Sequence, residues 1–235
     1  MTRALPLLTL LLTLTFVGSS FFTGFDGFDG GQVPIPQEDP PIQPAGWAFS
    51  IWILIYGWLI VSAAYGVWRR ADDRDWDRVR LPLVLSLAIG TPWLAVAAQS
   101  AVWATVMIFA MAATAIWALL EAPAKNRWFL RAPVGLYAGW LTAASFVSLG
   151  STAAGYGLLT PLAWAYVGIP LALIVALMVQ LRKPMAPAYG AAVAWALLGI
   201  AVANSGTYTG VTILAGFGIA VIAGAALRGG RHRAA

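Results

Sequence analysis

The stretch PAGWAFSIWILIY, Pro44 to Tyr56, opens an apolar run that carries no charge until Arg69. A hydrocarbon core of roughly 30 Å is crossed by about 20 apolar residues of helix, so this run reads as a membrane span entered through tryptophan. Within it Trp52 and Tyr56 stand at i,i+4 and share one face of the helix, whereas Trp58 points elsewhere.

Similar runs recur in both directions from this segment. The chain is 60% hydrophobic and 10% charged, which places it outside the range of soluble domains. Spans are expected near 4–22, 46–68, 81–98, 101–121, 130–150, 159–181, 187–204 and 209–227, eight in all. The runs are continuous rather than alternating, so they do not suit a β-barrel. The expected fold is all-α, a polytopic transmembrane helical bundle whose helices satisfy their own backbone groups in lipid. The first run also has features of a signal peptide; its apolar stretch reaches Phe22, and a retained helix is the preferred reading.

The charges assign an orientation. All 14 basic residues fall before the first span, in the even-numbered connections or after the last span: Arg3, Arg69 to Arg80, Lys125 to Arg131, Arg182 with Lys183, and Arg228 to Arg233. The opposite loops carry only Asp26, Asp29, Glu38 and Asp39, or no charge. The positive-inside rule then puts both termini in the cytoplasm, as in a multi-pass protein of a bacterial inner (cytoplasmic) membrane. Scattered basic anchors of this kind are not a nucleic-acid surface.

The connections and later helices add detail. Residues 23–45, rich in Gly and Pro, form the longest outer segment and read as a lid or as a plain surface loop. Its DGFDGG lacks the spacing and closing Glu of a calcium loop. The inner connection WRRADDRDWDRVR mixes Arg with Asp and is expected to anchor at the headgroups. In the fifth run Gly135 and Gly139 are spaced for close helix approach, with Tyr137 and Trp140 at i,i+3 beside them. Gly216, Ala220 and Gly224 in the last run read as a packing or dimerisation face, and Pro170 as a kink. Val61, Tyr65 and Arg69 fit a cholesterol-type pattern that is common by chance. Trp47, Trp68, Trp103 and Trp128 suit an interfacial belt, whereas Trp52, Trp93 and Trp140 lie deeper, where core packing and a ligand pocket are both open readings.

Residues that usually carry chemistry are missing from the spans. There is no Cys, and the single His is His232 in the tail. No mid-span Lys is available for a Schiff base, no His for haem, and no deep Asp or Glu for ion coupling. Catalysis is therefore not expected, and binding through aromatic rings, hydroxyls and shape is.

At these residues the chain resembles the tryptophan-rich sensory protein or translocator protein (TspO/MBR) family. Trp47, Phe49, Trp52 and Tyr56 are similar to that family's W-V-F-x-x-x-W-T-x-L-Y segment, with one residue fewer between the tryptophans. Gly90 to Trp93 stands against its N-x-x-W, and Tyr137 with Trp140 against its P-Y-x-x-W. The departures are Gly90 for Asn, Leu136 for Pro, and Ser148 near a position often Asn. The resemblance implies a five-helix TspO-like membrane domain over 1–152, with 153–235 adding three transmembrane helices and a basic tail, as in a longer branch of the family. It also implies an interior pocket that takes a flat apolar ligand, such as a bound tetrapyrrole or other pigment, a carotenoid or a sterol-like molecule. Trp52, Tyr56, Trp93, Tyr137 and Trp140 carry over as its lining, with Trp47 counted among the ligand-binding positions. The expected partners are the lipid bilayer, a small apolar ligand and a homodimer or membrane-complex subunit. A transporter and a structural subunit are the competing readings.

Overall fold

The computed structural model describes residues 4–22, 28 and 30–231. Arg3, Asp26, Asp29, His232 and Arg233 lie outside the described residues, and with them half of DGFDGG. Among the described residues the secondary structure is helical throughout. The helices are α1 (Ala4–Ser19), α2 (Ile51–Arg69), α3 (Arg74–Gly90), α4 (Trp93–Ala97), α5 (Ala101–Glu121), α6 (Ala132–Gly155), α7 (Pro161–Arg182), α8 (Pro187–Ala203) and α9 (Thr209–Arg231). A 3-10 turn at Gly46–Ser50 leads into α2, and a π-helical turn at Arg127–Arg131 leads into α6.

Among the described residues six helical segments are long and apolar enough to cross a membrane, and two further apolar helices, α1 and α8, are shorter at 16 and 17 residues. The third run, expected over 81–98, ends at Ala97 but starts earlier and is interrupted within. It begins at Arg74, where the Asp73 carboxylate accepts a hydrogen bond from the amide of Asp75, so much of the charged connection is helix rather than loop. It breaks at Thr91–Pro92, because Pro92 has no N–H to give to the preceding turn, and resumes as α4. By contrast α7 stays continuous through Pro170.

The bundle is built around α6, which is buried along nearly all of its length and packs against α2, α5, α7 and α8. The contact with α8 depends on glycine. A Cβ on Gly139 would strike the carbonyl oxygen of Tyr189 and lie 3.0 Å from the Cβ of Ala192. The Tyr189 hydroxyl, at the same crossing, lies 3.0 Å from the Thr142 hydroxyl. The glycine series of α9 does not behave as expected inside the chain: Gly216 and Gly224 meet nothing within 4 Å, and Ala220 is exposed. Val211, Ala215, Gly218 and Ile222 form the face that packs instead, since α9 turns those positions toward α7 and α8.

Each end of the bundle is tied. At the end that holds the described basic residues, Arg80 is 2% exposed and donates to the carbonyls of Gly66 and Arg70, both at 2.8 Å, and to Asp77 at 2.7 Å. It thereby ties the end of α2, adding to the backbone bonds that the same two carbonyls accept from the Arg70 and Asp73 amides. Lys183 does the same for α5, its ammonium donating to the Leu120 carbonyl at 2.7 Å. Burial, followed by the nearby Arg131 guanidinium, lowers its pKa against the opposing effect of Glu121.

At the other end the loop before α2 reaches across several helices. Gln32 donates to the carbonyl of Ala97 at 3.0 Å, and the Ile35 amide to that of Gly155 at 2.9 Å. Ile42 is 1% exposed and sits in a notch made by Gly150 of α6 and Gly168 of α7. The Asn204 amide donates to the Pro41 carbonyl, and the Ala45 amide to that of Gly199. The loop is a roof pinned to α4, α6, α7 and α8.

Candidate functional site

Beneath that roof lies a cavity of about 270 Å³. Its walls come from α1 to α6, with Ala196 of α8 completing one side. Among the described residues, none that lines it is charged.

Four of the six residues singled out from the sequence line this cavity: Trp52, Tyr56, Trp93 and Trp140. Trp52 and Tyr56 stack at 5.0 Å with planes 27° apart, as their i,i+4 spacing allows. Trp140 meets Trp52 edge-on at 6.3 Å and Phe49 at 5.7 Å. Trp93 heads α4 just after the break at Pro92, and its indole N–H donates to the Ala104 carbonyl at 2.9 Å. That bond fixes the ring against α5 and uses the only polar atom of the indole.

The other two stand elsewhere. Tyr137 is fully buried behind the wall, with its hydroxyl 2.9 Å from that of Ser86 and its ring 6.4 Å from Trp52. It supports the aromatic wall without facing the cavity. Trp47 is 43% exposed and packs edge-on against Trp195 at 5.0 Å, and Trp195 in turn donates its indole N–H to the Ala48 carbonyl. This pair clamps the start of α2 to α8. Tyr65 of the cholesterol-type pattern is stacked on Phe129 at 4.2 Å.

The sequence reading missed Phe16. Its ring lies 6.0 Å from Trp52, 5.7 Å from Tyr56 and 5.8 Å from Tyr137, so α1 supplies the hub of the cluster. Phe16 also explains Gly90. A Cβ there would lie 2.7 Å from Cε2 of Phe16 and 2.8 Å from Cε of Met111. Space that an asparagine would need is filled by a ring and a thioether methyl. Ser148, the other altered polar position, pairs its hydroxyl with that of Thr105 at 2.7 Å.

A family model described as TSPO-like protein matches residues 3–228, nearly the whole chain. The chain belongs to the TSPO-like protein family. The match takes in α7, α8 and α9 together with the first helices, in line with α8 contributing both Ala196 to the cavity and Trp195 to the clamp. Comparison with curated proteins and with solved structures gives no match. Among the described residues no group of His, Cys, Asp and Glu is arranged to hold a metal ion.

Proposed function

We propose that this TSPO-like protein binds a flat, apolar ligand in the aromatic cavity, in a sensory or regulatory role and without catalysing a reaction. The supporting observation is the convergence of Phe16, Trp52, Tyr56 and Trp140 on one uncharged cavity roofed by the loop. Concave apolar sites with a few polar groups suit ring systems, and each aromatic pair contributes about 0.5–1.5 kcal/mol beyond the area it buries. Tetrapyrroles, carotenoids and sterol-like molecules are the ligand classes of this kind. All eight apolar helices cross the bilayer, α1 and α8 included, with both termini on the cytoplasmic side of a bacterial inner membrane. The clustering of basic residues at one set of helix ends supports that orientation.

The test is an absorption spectrum of protein gently purified from its native membrane, followed by titration of porphyrin, carotenoid and sterol probes. Trp52→Ala and Trp140→Ala are each expected to weaken binding about tenfold, equivalent to about 1.4 kcal/mol, in protein of unchanged helicity. A colourless protein indifferent to every probe, or variants that bind as the parent does, would overturn the reading.

A further inference from the structure

The cavity is polarised along the helix axes. On α6, which ascends toward the roof, Trp140 and Leu141 come first, and Ser148 and Ser151 follow two to three turns later. Gln37 and Gln43 of the roof line the same outer pole. The deep half is mostly ring, methyl and thioether, with the Tyr56 hydroxyl already paired to Ser20; the side-chain amides stand at the outer pole, among Val33, Pro40 and Pro44.

Two polar atoms at that pole are unpartnered. Hydroxyls on neighbouring turns of α5 and α6 bond back to the carbonyl four residues earlier: Thr105 to Ala101, Thr142 to Ala138 and Ser145 to Leu141, at 2.7–2.8 Å. Ser151 is 7% exposed, yet its Oγ has no partner among the described residues. Gln37 is the second case. Its Nε2 donates to the carbonyls of Ile35 and Pro36, at 3.0 and 3.3 Å. Those carbonyls only accept, so the nitrogen must face them and Oε1 must point away. That Oε1 is buried and without a partner among the described residues. Buried polar atoms are ordinarily paired, and these two line a ligand-sized space.

We infer that the cavity selects an uncharged amphiphile with a single polar end, its apolar body lying toward Tyr56, Met111 and Trp140 and one hydroxyl or N–H donor reaching Gln37 and Ser151. This rests on the ligand-binding reading and narrows it. An anionic headgroup would enter a low-dielectric space in which no described lining residue is a cation, at a large desolvation cost. Dicarboxylate tetrapyrroles are therefore disfavoured by charge, and an uncharged polyene or fused-ring alcohol is favoured.

Three probes of one shape separate the cases: retinol, its methyl ether and its phosphate ester. Binding to the full chain in lipid nanodiscs is read by energy transfer from tryptophan, with empty discs subtracted. Retinol is expected to bind, the ether about tenfold more weakly for want of a donor, and the phosphate at least about a hundredfold more weakly. The double variant Ser151→Ala with Gln37→Ala is expected to bring retinol down to the affinity of the ether while leaving the ether unchanged. Phosphate binding as tight as retinol, or an ether equal to retinol on the parent protein, would overturn the headgroup assignment and leave the site standing. If none of the three binds and porphyrin and sterol probes fail as well, the ligand-binding reading falls and this inference falls with it.

Discussion

Gly139 and Gly216 are both mid-helix glycines, and the space beside them differs by a whole side chain. At Gly139 the backbone of Tyr189 occupies the place of a Cβ, whereas at Gly216 nothing lies within 4 Å. Gly139→Ala is expected to force α6 and α8 apart and to cost about 1–3 kcal/mol, the usual range for overpacking. Gly216→Ala is expected to be neutral or slightly stabilising, since alanine is the better helix former. Thermal unfolding of the two variants in the same detergent checks both. From sequence the two positions look alike, because small-residue spacing marks a surface that permits close approach and does not say which surface is used. Phe16 was illegible for a related reason. Lipid and protein interior are both apolar, so a ring in Leu-rich α1 gives no pattern that tells inward from outward. Trp52 and Tyr56 were legible because paired rings at i,i+4 are uncommon enough to stand out against an aliphatic background.

At the scale of an element, α3 is the part the sequence described least well. Its first turns are dense with Arg and Asp, which reads as a connection when charge is taken as the sign of a loop. Asp73 instead caps a helix, and Arg80 turns inward to the carbonyls at the end of α2. Arg80→Met keeps the apolar stem and removes the donors. Losing charge-assisted hydrogen bonds of this kind costs about 1.5–3 kcal/mol each before relaxation. Arg70→Met is the control: its bridge to Asp73 spans 3.5 Å between half-exposed partners and should be worth under about 1 kcal/mol. Chemical unfolding in mixed micelles ranks the two, and equal losses would show that Arg80 is not the tie between α2 and α3. The long apolar runs of α2, α5, α7 and α9 were legible from length alone. The limits of α3 were not, since they depend on one cap and one proline.

For the whole molecule, the loop between α1 and α2 joins the first half of the chain to the second. Its anchors lie on α6, α7 and α8 as well as α4, so the cavity roof depends on helices far away in sequence. Ile42, seated between Gly150 and Gly168, is the largest apolar group in that attachment. Drawing a buried isoleucine out of its notch costs about 1.5–3 kcal/mol, so the unlatched form is a minority of under about a tenth. Exchange through that form makes association and dissociation slow by the same factor. Ile42→Ala is then expected to speed both by several-fold in stopped-flow mixing while moving their ratio little; a change in ratio with one rate fixed would point to a different route. The residence time of a captured molecule is thereby set by how often one side chain leaves its notch, and two proteins of equal affinity differing only at this latch would answer a falling supply on different timescales.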